Sequence, residues 1–68
     1  MTTIEFLRRL IRTNETNTRH AQERHDDGAL TRLDETRRHL FAALRAVELA
    51  EQISAMFREN KEIREENT

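Results

Sequence analysis

The residues of this chain that could carry chemistry are few. His20, Glu23 and His25 lie close together in His20-Ala21-Gln22-Glu23-Arg24-His25. Zinc binding on a helix needs two histidines four apart on one face, with a glutamate between them as base. Here the histidines are five apart and project differently, so the cluster reads as solvated or capping side chains. His39 has no ligand-type neighbour at helical spacing. Ser54 is the only serine, and no glycine-rich turn exposes it or builds an oxyanion hole. One glycine in 68 residues rules out a phosphate-cradling glycine loop. With no acid, base and nucleophile to assemble, the expectation is a protein that is not an enzyme and holds no cofactor or metal.

Charge supplies the next candidate. Arg8, Arg12 and Arg19 share one stripe of a helix, and eleven of the twelve Lys and Arg residues are arginine. Guanidinium groups in a row suit phosphate oxygens. Residues 1–25 hold five basic and three acidic side chains, net +2, and residues 26–68 hold seven and ten, net −3. Two such stripes brought together in a dimer would give a modest basic face for RNA. Glu15 and Glu23 dilute it, and the isoelectric point near 6.3 is low for a nucleic-acid binder. A solvated face with i,i+4 pairs is the stronger reading. A DNA-reading helix-turn-helix is rejected, because a turn at Gly28 puts Glu23, Asp27, Asp34 and Arg37 where that motif needs apolar side chains.

The elements that would position these residues are helical. Thr2 and Glu5 match a capping box, and Ile4, Leu7, Leu10 and Ile11 follow at helical spacing. Continued along the chain, that face passes through Asn14, Thr18, Ala21 and His25. Asn14 reads as a solvent-edge residue, with a buried, register-setting role as the alternative. Arg24-His25-Asp26-Asp27-Gly28 is the only punctuation. It holds the only glycine, and there is no proline. Asp27 is the expected cap of the following helix, and His25 suits a helix C-terminus. A helix over about 3–25, a turn over 26–28, a second helix over about 29–62 and a frayed charged tail over 63–68 are therefore expected. One continuous helix through Gly28 is the alternative to a hairpin.

The second helix carries the apolar excess. From Leu40 to Phe57 its apolar residues cover more than one face, and a helix apolar nearly all round is buried on several sides. Leu33, Leu40, Leu44 and Val47 form the stripe suited to the first helix, completing a hairpin core with Ile4, Leu7, Leu10 and Ile11. Folding about Gly28 sets Leu7 and Ile11 against Leu44 and Val47, and lets Ile4 reach only Glu51 or Gln52. Ile53, Met56, Phe57 and Ile63 then overhang the hairpin, with Leu49 on the same side, and Phe41 stands in a charged strip as a candidate point of contact. These six are the expected protein interface. Small domains seldom gain more than about 3–5 kcal/mol from a single core, and without cysteine there is no disulfide to help. Dimerisation into a four-helix bundle is the expected remedy.

The fold class expected is thus all-α, a two-helix antiparallel hairpin. In length, Thr-capped first helix, Asp-containing turn and alanine-rich positions 42, 46 and 50, the plan resembles the plasmid copy-number RNA-binding hairpins of the Rop type. It is also similar to small helical dimers with which bacteriophages inhibit host proteins. Those resemblances imply a homodimer and either an RNA or a protein partner, and no functional residue is carried over from them. The reading that follows is a small non-enzymatic regulator or inhibitor that binds protein through helical surfaces. A Rop-like RNA-binding dimer and a structural coiled-coil or virion assembly subunit are the alternatives. No stretch reaches the roughly 18 apolar residues of a membrane span and no signal peptide is seen, so a cytoplasmic location (host cytoplasm for a viral protein) is expected.

Overall fold

The first helix begins where the sequence supplies its cap. Thr2 takes an extended backbone and its Oγ1 accepts a hydrogen bond from the Glu5 N–H at 3.1 Å, while its carbonyl accepts from Phe6 N–H at 3.0 Å. The computed structural model describes residues 1–66, with side chains as far as Asn60. Two helices account for it: α1 over Thr3–Glu23 and α2 over Asp27–Glu66. They pack on one another as an antiparallel hairpin, with no strand among the described residues.

The turn comes two residues earlier than the sequence suggests, over 24–26 rather than 26–28. Arg24 ends α1, and the next two N–H groups fold back. His25 N–H reaches the Gln22 carbonyl at 3.1 Å and Asp26 N–H reaches the Ala21 carbonyl at 3.0 Å. This is a Schellman closure, whose penultimate residue must be left-handed. That residue is His25, at φ 55°. Gly28 does not take that role: it has no positive φ and lies in the first turn of α2. Asp26, not Asp27, caps α2. Its Oδ1 accepts from Ala29 N–H at 3.1 Å and its carbonyl accepts from Leu30 N–H at 3.0 Å. One residue thus closes α1 with its N–H and opens α2 with its carboxylate.

Moving the turn moves the register. Asn14 faces Leu33, and Leu10 and Leu40 line the same groove, so each residue of α1 meets α2 several positions nearer the turn than expected. The face of α1 from Ile4 through Leu7, Ile11, Asn14 and Thr18 to Ala21 is buried or half-buried throughout, and His25, next in the series, lies exposed in the turn. Leu10, Leu33, Leu40, Leu44 and Val47 are half-buried. The tightest point is Ala21, with 0% exposure, where a methyl side chain lets the helices approach closely beside the turn. Asn14 is buried, at 5% exposure, against the expectation of a solvent-edge position. Its Nδ2 donates to the Leu33 carbonyl at 3.0 Å, and its own backbone carbonyl accepts from the Thr18 hydroxyl at 2.8 Å.

The two helices are unequal. At 1.5 Å per residue α1 is about 32 Å long and α2 about 60 Å. The molecule measures 65 × 19 × 10 Å, with a radius of gyration of 18.7 Å. A compact chain of this length would have a radius near 11 Å. α2 continues to Glu66, beyond the expected end near 62. Residues 67–68 of the expected frayed tail lie outside the described residues.

Candidate protein-binding surface

The side chains of α2 change character at one place. As far as Glu48, one side of the helix is shielded by α1; from Leu49 to Asn60 every residue is exposed. The earlier turn is the reason, since α1 runs out near Val47 rather than near Gln52. The bare segment includes Leu49 (56% exposed), Ile53 (44%), Met56 (61%) and Phe57 (69%). Ile53, Met56, Phe57 and Asn60 line one shallow apolar concavity of about 250 Å³. Ile63 lies in α2, but its side chain is outside the described residues. Ala42, Ala43, Ala46 and Ala50 are exposed too, so apolar surface extends back along α2 beside the hairpin.

Phe41 stands apart from this segment. It is 41% exposed, and the Arg37 guanidinium lies over its ring, 5.4 Å from the centroid. This is a one-turn cation–π pair. One turn earlier, Arg38 bridges to Asp34 at 3.0 Å on the open surface. Exposed pairs of this kind stabilise a helix only slightly.

The arginine row also lies open. Arg8, Arg12 and Arg19 are exposed on the outside of α1, and none makes an ion pair among the described residues. Glu15 falls within the same row. Sequence spacing does not single out a second basic group: His20, Arg24 and Arg32 line a polar groove of about 420 Å³ between the end of α1 and the start of α2, with Asn17 and Thr36. Arg24 and Arg32 stand on either side of the turn, and only its position brings them together.

The side chains singled out for chemistry stay apart. His20 sits in the last turn of α1, His25 holds the turn, and His39 and Ser54 are on the exposed side of α2. Among the described residues no three His, Asp or Glu side chains come together to hold a metal ion. No helix of the described residues is long and apolar enough to cross a membrane. Comparison with protein-family models, curated proteins and solved structures finds no match for the chain. The likeness to Rop-type and phage hairpins therefore goes no further than the all-helical two-helix plan.

Proposed function

We propose that this protein is a non-enzymatic regulator that acts by binding another protein through α2. The observation that carries the reading is the run of Leu49, Ile53, Met56 and Phe57, bare on the part of α2 that α1 does not reach. Exposed apolar side chains scattered singly are ordinary, but a contiguous patch marks an interaction surface. Phe and Met on a rigid helix suit helix-on-helix or helix-in-groove recognition, where a few anchors supply most of the affinity. The surface area supports the same reading. The chain exposes 5962 Å², against about 4,500 Å² for a compact protein of its mass. The excess, about 1,500 Å² on one chain, exceeds the roughly 800 Å² that each partner of a standard interface buries.

The test is a Met56→Ala, Phe57→Ala double variant. Helix content by circular dichroism should be retained, while self-association and capture of any partner by the wild-type chain should be lost. Equal mass by light scattering and equal partner capture for the two proteins would refute the reading.

A second reading rests on the open arginine row. An RNA-binding hairpin acting through Arg8, Arg12 and Arg19 would lose affinity steeply with salt, because each neutralised phosphate releases counterions. A filter-binding titration without salt-sensitive affinity eliminates it. A structural coiled-coil role would instead give filaments or large oligomers in light scattering.

A further inference from the structure

The face of α2 turned away from α1 carries a pattern of its own. Ala42, Ala46, Leu49, Ile53, Met56 and Asn60 alternate four and three residues apart, the spacing of a coiled-coil seam. On an ideal helix this seam lies about half a turn round from Leu33, Leu40, Leu44 and Val47, which face α1. The two surfaces do not compete. The seam is small at one end, Ala42 and Ala46, and bulky at the other, Ile53 and Met56, and all of these residues are exposed.

From this we infer that the partner is a second copy of the same chain, with the two α2 helices paired antiparallel about an axis near Glu51. This deepens the proposed function and rests on it. In this register Leu49 faces the second copy's Ile53, Ala46 faces its Met56 and Ala42 faces its Asn60, so both alanines of the seam meet a larger side chain. The flanking positions agree independently. One flank brings Arg45 opposite the second copy's Glu59 twice by symmetry, with Gln52 facing Gln52 at the axis. The other flank sets Ala50 against Ala50 at the axis, and Ala43 against Phe57. Glu48 and Glu51 point outward. A parallel pairing loses all of this: like sizes meet like, leaving gaps at Ala42 and Ala46, and Arg45 meets Ala50 instead of an acid. The seam from Ala42 to Asn60 is about 27 Å long, and the roughly 1,500 Å² of excess surface is enough for a standard interface. In the resulting dimer the two α1 helices lie on opposite outer sides and at opposite ends of the central α2 pair, rather than in a square bundle.

Absence of native cysteine makes the test clean. Ala46→Cys and Met56→Cys variants are prepared separately, then mixed in a glutathione redox buffer. Antiparallel pairing gives the mixed disulfide, which joins position 46 of one variant to position 56 of the other, and little of either symmetric product. Predominance of the two symmetric products overturns the inference in favour of parallel pairing. Alongside this, sedimentation equilibrium compares Arg45→Glu, Glu59→Arg and the double reversal. Each single reversal should raise the dimer dissociation constant about tenfold, and the double should return it to within about threefold of wild type. Single reversals without effect, or a double no better than the singles, overturn the register. A wild-type chain that stays monomeric overturns self-pairing altogether. That outcome leaves protein binding standing if the wild type captures a different protein that the Met56→Ala, Phe57→Ala variant does not, so the two failures are told apart.

Discussion

Replacing Asn14 by leucine should make the hairpin more stable, and the structure says by how much. Asn14 is buried on the inner face of α1, and its Oδ1 has no hydrogen-bond partner among the described residues. An unsatisfied buried acceptor costs about 1–3 kcal/mol. The Nδ2 bond to Leu33 returns only about 0.5–1.5 kcal/mol. Losing that bond strands nothing, because the Leu33 carbonyl lies inside α2, where the helix supplies Arg37 N–H as a partner. A leucine side chain has room, since position 14 borders a groove of about 230 Å³ lined also by Leu10, Leu33 and Leu40. The added methyl groups gain burial at roughly 0.8 kcal/mol for each carbon removed from water. The net expectation is a stabilisation of about 1–2 kcal/mol, which for a domain of this size raises Tm by roughly 5–15 °C. Thermal unfolding followed at 222 nm, at one fixed protein concentration, measures it. The concentration must be fixed because association would itself shift Tm. An unchanged or lower Tm would refute the reasoning, and would mean that the Oδ1 finds a partner in solution. The amide does retain one role a leucine cannot fill, since only it names Leu33 as its neighbour. Asn14→Leu should therefore loosen register even as it stabilises, seen as broader amide resonances along α1.

The turn and the tight end of the hairpin give the other expectations. His25→Gly removes a left-handed strain that costs a side chain about 1–2 kcal/mol; after the entropy a glycine adds to the unfolded chain, about 0.5–1 kcal/mol of stability should remain in urea titrations. Gly28→Ala should also stabilise, by up to about 1 kcal/mol, because a Cβ there meets only Asp26 Oδ1 at an ordinary 3.7 Å; a loss would show that the glycine is needed after all. Asp26→Ala should cost about 1 kcal/mol through the lost cap on Ala29 N–H, read as a lower urea midpoint with unchanged slope. Ala21→Leu forces a large side chain where exposure is 0% and should destabilise by about 1–3 kcal/mol, with loss of α1–α2 nuclear Overhauser effects as the signature.

The parts of the fold legible in the sequence are those written in local chemistry. Thr2 and Glu5 announce the start of α1, the series from Ile4 to Ala21 announces its inner face, and a break among residues 24–28 announces a hairpin. The turn itself is misplaced by sequence reasoning because glycine is the usual left-handed residue, and Gly28 draws the break toward itself. Here a histidine takes the strained position, and the backbone bonds from His25 and Asp26 that fix it there involve no side-chain signature. That displacement shifts the register, and with it the point where α1 stops shielding α2. Asn14 resists placement from sequence for a related reason: its partner is a backbone carbonyl, which every residue possesses. The exposed run on α2 is visible as an imbalance of apolar residues, whereas the grouping of His20, Arg24 and Arg32 depends on the turn geometry alone.

Asp26, which serves both helices at once, also bears on how the chain acquires its shape. Helix closure at one end and helix initiation at the other are set within a few residues, and the first cross-helix neighbours, such as His20 and Arg24 with Arg32 around one groove, follow directly. Contacts of such short sequence separation place the hairpin among the fast-folding topologies, forming in microseconds to milliseconds. The chain contains no proline whose isomerisation, and no cysteine whose pairing, would add a slow step. A relaxation slower than about a second therefore belongs to encounters between molecules, and its rate should scale with protein concentration.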